Sequence, residues 1–261
     1  MTFGASGAIG SRAVMNAAPD GYTLLMASTG ALMAVSAGAE SNGPFDVNRV
    51  LTPIVIGAAP PYLLVASPVL PVKATQDLIR YAREKPDGLT FGSSGVGAAS
   101  HLSGLLFASQ TGIKMLHVPY KGTGPAVTDL IGGRIDVMFA PGPVVAQFVA
   151  SGQLKALGVT DTKRSKFYPD VPPVSETVPG YESVGWFGLL APPHTPPEIV
   201  SKLNEAIVAA MQTQEFRDHL ATLGAEPTPQ TPQEFGRYVN ADVAKWSRLV
   251  KDNDVQIPGG K

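Results

Sequence analysis

The segment FGSSGVGAASHLSGLLF, residues 91–107, carries residue types that suit anion binding. A strand predicted at Leu89–Gly92 runs into a Ser/Gly turn, and an apolar helix is predicted to begin near Ala99. The first N–H groups of a helix have no partner within the helix and attract anions. Hydroxyl groups are added by three serines, Ser93, Ser94 and Ser100. The turn predicts an anion site, with an ordinary serine-capped turn as the alternative.

The same segment contains a serine and a histidine, Ser94 and His101, which with a distant aspartate would form a hydrolase site. The nucleophile pattern G-x-S-x-G needs a glycine two residues before and two residues after the serine. Ser94 has Gly92 before it but Val96 after it, so the pattern fails. A serine hydrolase therefore stays an alternative, and a His101 that only packs beside the turn is the simpler interpretation.

A second segment, HVPYKGTGPAVTDLIGG at residues 117–133, places an aromatic ring, a cation and a hydroxyl in one loop before a predicted helix. Tyr120, Lys121 and Thr123 in such a loop suit a carboxylate. A solvated Lys121 beside a packed Tyr120 is the alternative interpretation. The segment therefore adds a second candidate contact region for an acidic ligand.

Two further strands end in loops of small residues, one at Ser28-Thr29-Gly30 and the other in VMFAPGP at 137–143. Ligands of α/β sheets bind beyond the carboxyl ends of the strands. None of these loops offers the paired carboxylates of acid–base catalysis. The loops predict a binding protein rather than an enzyme.

Apolar runs typical of strands covered on both faces alternate with amphipathic helix patterns, which indicates an α/β fold. Strands are predicted at Tyr22–Ala27, Pro53–Gly57, Tyr62–Ala66, Leu89–Gly92, Lys114–Val118, Ile135–Phe139, Ala156–Val159 and Val184–Leu190. The connector YPDVPPVSETVPG at 168–180 is followed by one strand and a helical tail. This asymmetry predicts one lobe from 1–71 and 184–261, with a second lobe, 72–183, inserted.

The composition narrows the class of protein further. The 261 residues are 44% hydrophobic and 16% charged, with a formal charge of −1, which is typical of a globular protein. They lack the clustered positive charge of nucleic-acid binding. There is no cysteine, and four scattered histidines predict no metal site. The apolar windows at 21–39 and 51–72 are interrupted by glycine or proline, so no membrane span is predicted.

Six stretches together resemble the Bug-type solute-binding proteins of tripartite tricarboxylate transporters, over nearly the whole chain. They are AAPDGYTLLMASTG, SSGVGAASHLSGLLF, HVPYKGTGPAVTDLIGGRIDVMF, TDTKRS with YPDVPPVSE, GWFGLLAPPHTPPEIVSKLN and LGAEP. The resemblance implies a type II-like periplasmic-binding-protein fold, with a ligand cleft between two α/β lobes. It implies a periplasmic protein that captures a small organic acid for membrane transporter subunits. It implies no cofactor, no metal and no catalysis, and we expect a monomer that does not insert into the membrane.

The resemblance also assigns ligand contacts by position. They are Thr29, Gly30, Ser93, Ser94, Ala99, Ser100, Tyr120, Lys121, Thr123 and Ala140. Many family members carry an aspartate where this sequence has Ala140. Because alanine cannot pair with an ammonium group, we expect a mono- or dicarboxylate rather than an amino acid.

In the family, a signal peptide and a strand–helix–strand unit come before the turn that GASGAIG, residues 4–10, resembles. Such a unit takes ~30 residues or more. We therefore expect the first lobe to be shortened at its amino end. A shortened remnant that no longer binds a ligand is a further hypothesis.

Overall fold

The computed structural model describes residues 7–39, 45–222 and 224–257. The chain divides into two compact units. The first unit comprises Met1–Ala59 and Trp186–Lys261, and the second is the continuous segment Pro60–Gly185. An inserted second unit is the arrangement that the proline-rich connector predicts.

The amino-terminal boundary between the units differs from the sequence prediction. The prediction placed residues 60–71, and with them the strand Tyr62–Ala66, in the first lobe. In the structure this strand pairs with Val137–Pro141 on one side and Lys155–Val159 on the other. Since both partners belong to the second unit, that unit begins at Pro60.

The second unit is built on a five-stranded sheet in the order β5–β4–β6–β3–β7. Its strands are β3 (Tyr62–Ala66), β4 (Leu89–Ser93), β5 (Met115–Pro119), β6 (Val137–Pro141) and β7 (Lys155–Val159). β4 is parallel to β5 and β6, and β3 is antiparallel to β6 and β7. β4, β5, β6 and β7 therefore all end at the same edge of the sheet.

Helices of the second unit follow these strands and begin at that edge. They are α5 (Ala99–Thr111) after β4, α6 (Thr123–Ile131) after β5 and α7 (Gly142–Ala150) after β6, whereas α4 (Thr75–Glu84) precedes β4. Apolar side chains cover both faces of the sheet: Phe139 packs with α4 and α5, and its neighbour Met138 packs with α6 and α7. The packed sheet thus places three helix amino ends along one edge.

The first unit contains a smaller antiparallel sheet in the order β1–β8–β2. Its strands are β1 (Leu25–Ser28), β2 (Thr52–Ala58) and β8 (Phe187–Ala191). Its helices are α1 (Ala8–Met15), α2 (Thr29–Ala39), α3 (Val47–Val50), α8 (Pro197–Met211), α9 (Gln214–Thr222) and α10 (Pro232–Asp252). β1 runs into α2 with no residue between them, so the predicted ligand contacts Thr29 and Gly30 lie in the first turn of α2.

Each of the eight strands predicted from the sequence overlaps a strand of the structure. The sequence analysis did not predict α2, which lies in one of the two apolar windows. Across the described residues, every helix is too short or too polar to cross a bilayer.

Candidate functional site

The turn between β4 and α5 is held by side chains from the first turn of α5. The Ser94 N–H donates to Ser100 Oγ at 3.0 Å, and the Gly97 N–H donates to His101 Nδ1 at 3.1 Å. Gly95 and Gly97 have φ angles of 139° and 79°, which side chains rarely allow. The loop conformation is therefore fixed by the helix that follows it.

Two backbone amides at the start of α5 are left for a ligand. Ala99 and Ser100 are the first residues of the helix, and the preceding Ala98 has no side chain that could cap them. Among the described residues, neither amide has a carbonyl or side-chain acceptor. Together with the helix dipole, N–H groups in this position are chemically suited to bind an anion. The Ser94 hydroxyl, 3.1 Å from Ser100 Oγ, belongs to the same turn.

Two stacked histidines lie behind the turn. Their rings are 3.8 Å apart between centroids at an angle of 18°, and His117 Nε2 lies 2.6 Å from Ser93 Oγ. Burial lowers the pKa of His101 to about 3, helped by the neighbouring His117, and burial lowers the pKa of His117 to about 4. Both imidazoles are neutral at pH 7, so the positive potential at this edge comes from backbone amides and lysine.

A second helix amino end lies beside the first. The Tyr120 N–H donates to the Ser93 carbonyl at 3.0 Å, so the loops after β4 and β5 leave the sheet side by side. α6 begins at Thr123, and Lys121 in the loop before it is exposed. Lys121 has no ion pair with any described residue. The edge therefore combines two helix amino ends with a cation, which suits a carboxylate.

The Tyr120 hydroxyl has a partner within the protein, and its predicted contact with a ligand stays a prediction. Its hydroxyl donates to Asp129 Oδ2 at 2.8 Å, within the helix α6 that follows. Burial and this bond raise the pKa of Tyr120 to about 12. A Cβ at Gly92 would lie 3.5 Å from Tyr120 Cε2 and 3.6 Å from Ala126 Cβ, so the ring packs between β4 and α6. Tyr120 holds α6 in place, and its hydroxyl proton is not available to a ligand.

Three predicted contacts in the second unit are buried, namely Ser93, Ser100 and Ala140. Ala140 is fully buried in the apolar cluster that contains Leu63 and Val65. Ser93 is fully buried, and its Oγ accepts from the Gly95 N–H at 3.1 Å. The structure therefore gives these side chains packing and loop-holding roles. Ser94, Ala99, Ser100, Lys121 and Thr123 remain at the helix starts.

In the first unit, Thr29 faces a half-buried carboxylate. It is the first residue of α2, is 1% exposed, and donates from Oγ1 to Asp242 Oδ2 at 3.2 Å. Asp242 also accepts from the indole N–H groups of Trp186 at 2.8 Å and Trp246 at 2.7 Å. Burial raises the pKa of Asp242, partly offset by these donors. Gly30 follows in α2 and is buried.

Asp242 is not among the residues predicted for the site, although the sequence carries a signal for it. Phe235, Val239, Asp242 and Trp246 follow one another at helical spacings of three and four residues. An aspartate on such an apolar stripe faces the interior of the protein. The stripe therefore predicts a carboxylate with buried donors, which is what α10 contains.

The structure does not form the serine–histidine pair of the hydrolase alternative. Ser94 Oγ lies beside Ser100, and His101 Nδ1 accepts from Gly97. The serine that meets a histidine is the buried Ser93. No carboxylate within the described ranges is hydrogen-bonded to either imidazole, and those ranges contain no group of three or more metal-ligating side chains. The arrangement suits anion binding rather than nucleophilic catalysis.

Comparison with known proteins identifies the family to which the chain belongs. Residues 2–255 match the family model described as "Tripartite tricarboxylate transporter family receptor", or TctC. The chain belongs to the TctC family. The resemblance to Bug-type solute-binding proteins is thereby confirmed, and α/β folds of the same type are found among solved TctC-like structures.

Three such structures resemble the chain closely. Rpa4515 of R. palustris with adipate is 35% identical, with 95% of this chain and 83% of that chain covered and a TM-score of 0.85. The periplasmic binding protein BugD is 32% identical, with 97% and 85% covered and a TM-score of 0.84. MatC of Rhodopseudomonas palustris with bound malate is 30% identical, with 95% and 85% covered and a TM-score of 0.83. The expected two-lobed, type II-like periplasmic-binding-protein fold is confirmed.

Proposed function

We propose that this TctC-family chain is an extracytoplasmic receptor that binds a small organic carboxylate and catalyses no reaction. The Ala99 and Ser100 amides at the amino end of α5, which have no acceptor among the described residues, carry this proposal. A carboxylate oxygen accepts hydrogen bonds from such amides, and the helix dipole favours its charge. Hydrogen bonds to charged groups contribute roughly 1.5–3 kcal/mol each.

The surroundings of these amides favour an anion as well. Lys121 and the amino end of α6 lie at the same edge as the start of α5. The histidines behind the turn are neutral, so the positive charge at this edge comes from fixed backbone amides and Lys121. Backbone groups held in this way need little rearrangement when a ligand binds, and this reduces the cost of binding.

The ligand class is proposed from the relatives. Related solved structures hold adipate in one case and malate in another. We therefore propose a mono- or dicarboxylate in preference to an amino acid. Delivery to membrane transporter subunits in the periplasm, by a monomer, belongs to the same proposal.

A thermal-shift screen tests the proposal. The chain would be heated with mono-, di- and tricarboxylates and with acidic amino acids. A ligand at ~100 times its dissociation constant stabilises the folded state by about 2.7 kcal/mol. We expect a clear rise in Tm with one class of carboxylate. A cooperatively melting chain that shifts with none of them would contradict the proposal, and preferential binding of aspartate or glutamate would contradict the ligand class.

A further inference from the structure

The stacked pair consists of His101, which is buried, and His117, which is half-buried, and neither imidazole is among the predicted ligand contacts. We propose that these two neutral imidazoles are positioning residues of the carboxylate site, holding the β4–α5 loop so that the Ala99 and Ser100 amides remain open. The inference rests on the proposed function, because it concerns how the same site is kept in shape.

The contact of His101 with the loop fixes the tautomer of the ring. Its Nδ1 accepts the Gly97 N–H at 3.1 Å, so Nδ1 carries no proton and Nε2 does. Gly97 lies two residues before Ala99, and its φ of 79° sets the direction in which the chain enters the helix. If Nδ1 were protonated, two donors would face each other and the loop would lose this attachment.

His117 holds the other end of the loop through Ser93. His117 Nε2 lies 2.6 Å from Ser93 Oγ, which accepts from the Gly95 N–H at 3.1 Å and lies 3.0 Å from the Gly95 carbonyl. His101 and His117 support each other by stacking at 3.8 Å, with the Phe91 ring 4.9 Å from His117. The pair therefore holds both glycines whose backbone angles are unusual.

Within the part of the chain that the structure describes, the elements around the pair provide no counter-charge for an imidazolium. The elements α5, β4, β5 and β6 contain no aspartate, glutamate, lysine or arginine. In the segment that returns over α5, Glu182 is exposed, and the Tyr181 hydroxyl donates to the Ser103 carbonyl at 3.1 Å. Protonation would thus place a charge among apolar groups, and it would break the contact with Gly97. A cationic histidine that contacted the ligand would instead strengthen anion binding.

Matched variants separate hydrogen bonding from packing. His101→Asn places a carbonyl oxygen near the position of Nδ1, and His101→Leu fills similar volume without an acceptor. His117→Gln and His117→Leu form the same contrast at Nε2. Isothermal titration with adipate and malate at pH 7.5 would measure the affinity of each variant, with melting curves to establish that each is folded.

We expect the leucine variants to bind at least ten-fold more weakly and the asparagine and glutamine variants to stay within about three-fold of the parent chain. Folded leucine variants with parental affinity would overturn the proposal, and so would amide variants as weak as the leucine variants. If the leucine variants do not fold, the asparagine and glutamine variants still test the proposal, because loss of binding by both would overturn it.

Nitrogen NMR of the imidazole rings provides a readout that needs no ligand. We expect neutral rings at pH 7, with His101 protonated at Nε2; a charged ring or the opposite tautomer would overturn the proposal. Affinity should also stay constant between pH 8 and 6, and a rise in that interval would show a cationic histidine at the ligand. If the parent chain binds none of the acids, both the proposed function and the histidine role are overturned. If the parent chain and the leucine variants bind equally well, only the histidine role is overturned.

Discussion

Two strand-to-helix turns of this chain look alike in sequence and differ in structure. The turn from β1 to α2 reads ASTGA, and the turn from β4 to α5 reads GSSGVGAAS. In the first, the strand runs straight into the helix, and the Thr29 hydroxyl donates to the half-buried Asp242. In the second, five residues separate β4 from α5, and the first amides of the helix have no acceptor among the described residues.

The comparison shows that hydroxyl and glycine content alone does not define an anion site. Whether such a turn can bind an anion depends on the direction of each hydrogen-bond donor. The first turn uses its hydroxyl on a carboxylate of the protein itself, whereas neutral imidazoles hold the second. On the proposed function, an anion from solution would bind the Ala99 and Ser100 amides, whereas the Thr29 hydroxyl already donates to Asp242.

The largest expected difference between the two regions is their response to acid. In the folded chain the pKa values of His101 and His117, about 3 and about 4, lie below the ordinary value of 6.5. The unfolded chain therefore binds more protons as the pH falls below 6.5, and stability is lost in that direction. We expect the free energy of unfolding of the second unit to fall by about 3 kcal/mol between pH 7.5 and 5.

Urea unfolding at a series of pH values measures this effect. The raised pKa of Asp242 acts in the opposite direction, because protonation relieves a buried charge. The double variant His101→Asn/His117→Gln should show a much flatter pH profile than the parent. A parent chain equally stable at pH 7.5 and 5 would show that the pair is not held neutral.

The next largest effect is expected from Asp242→Asn. Asparagine keeps one acceptor oxygen but turns an amide group toward a tryptophan N–H, so a buried donor loses its partner. We expect a loss of about 2 kcal/mol of stability. The emission of the two tryptophans should change as well, since both donate to Asp242.

Asp252→Asn is the matched control for this prediction, because Asp252 is an exposed aspartate at the end of the same helix. Its stability should equal or slightly exceed that of the parent, as a negative charge at a helix carboxyl end is unfavourable. Equal stability of the Asp242 and Asp252 variants would mean that the buried cluster contributes little.

Thr29→Val should have a smaller effect on stability, and it compares the two turns directly. Valine has the shape of threonine but cannot donate to Asp242, so we expect a loss of about 1 kcal/mol. Because that hydroxyl is not directed at a ligand, the affinity for a carboxylate should change by less than two-fold. Titration alongside Ser94→Ala, which should bind more weakly, tests the contrast. Thr29→Val with unchanged stability and much weaker binding would reverse our assignment of the two turns.

Much of the fold could be predicted because strands covered on both faces give continuous apolar runs. The helix α2 was missed for a related reason: TGALMAVSAGA has no polar side, so a helical period cannot be seen in it. The boundary near Pro60 was misplaced because an apolar run predicts that β3 is a strand but does not indicate which strands it pairs with. Pairing on both sides within the second unit is a property of the tertiary fold.

The position of the candidate site along the backbone could be predicted from the sequence. The start of α5 follows from the strand, the glycines and the apolar helix. The direction of side chains did not follow, because Tyr120 is oriented by Asp129, nine residues later, and Thr29 by Asp242, in a distant helix. Sequence patterns locate a turn, whereas long-range contacts decide which of its groups face a ligand.

The most direct test of the account removes one amide and leaves the helix intact. Proline is tolerated at the first position of a helix, and Ala98, with φ −66° and ψ 156°, already has the backbone angles preferred before proline. Ala99→Pro therefore deletes the Ala99 N–H, and Ala99→Ser retains it. In calorimetric titrations with adipate and malate, we expect Ala99→Pro to bind at least ten-fold more weakly at an unchanged Tm, since ten-fold corresponds to about 1.4 kcal/mol. Ala99→Ser should bind like the parent chain. Parental affinity in a folded Ala99→Pro chain would contradict the claim that the amino end of α5 binds the carboxylate.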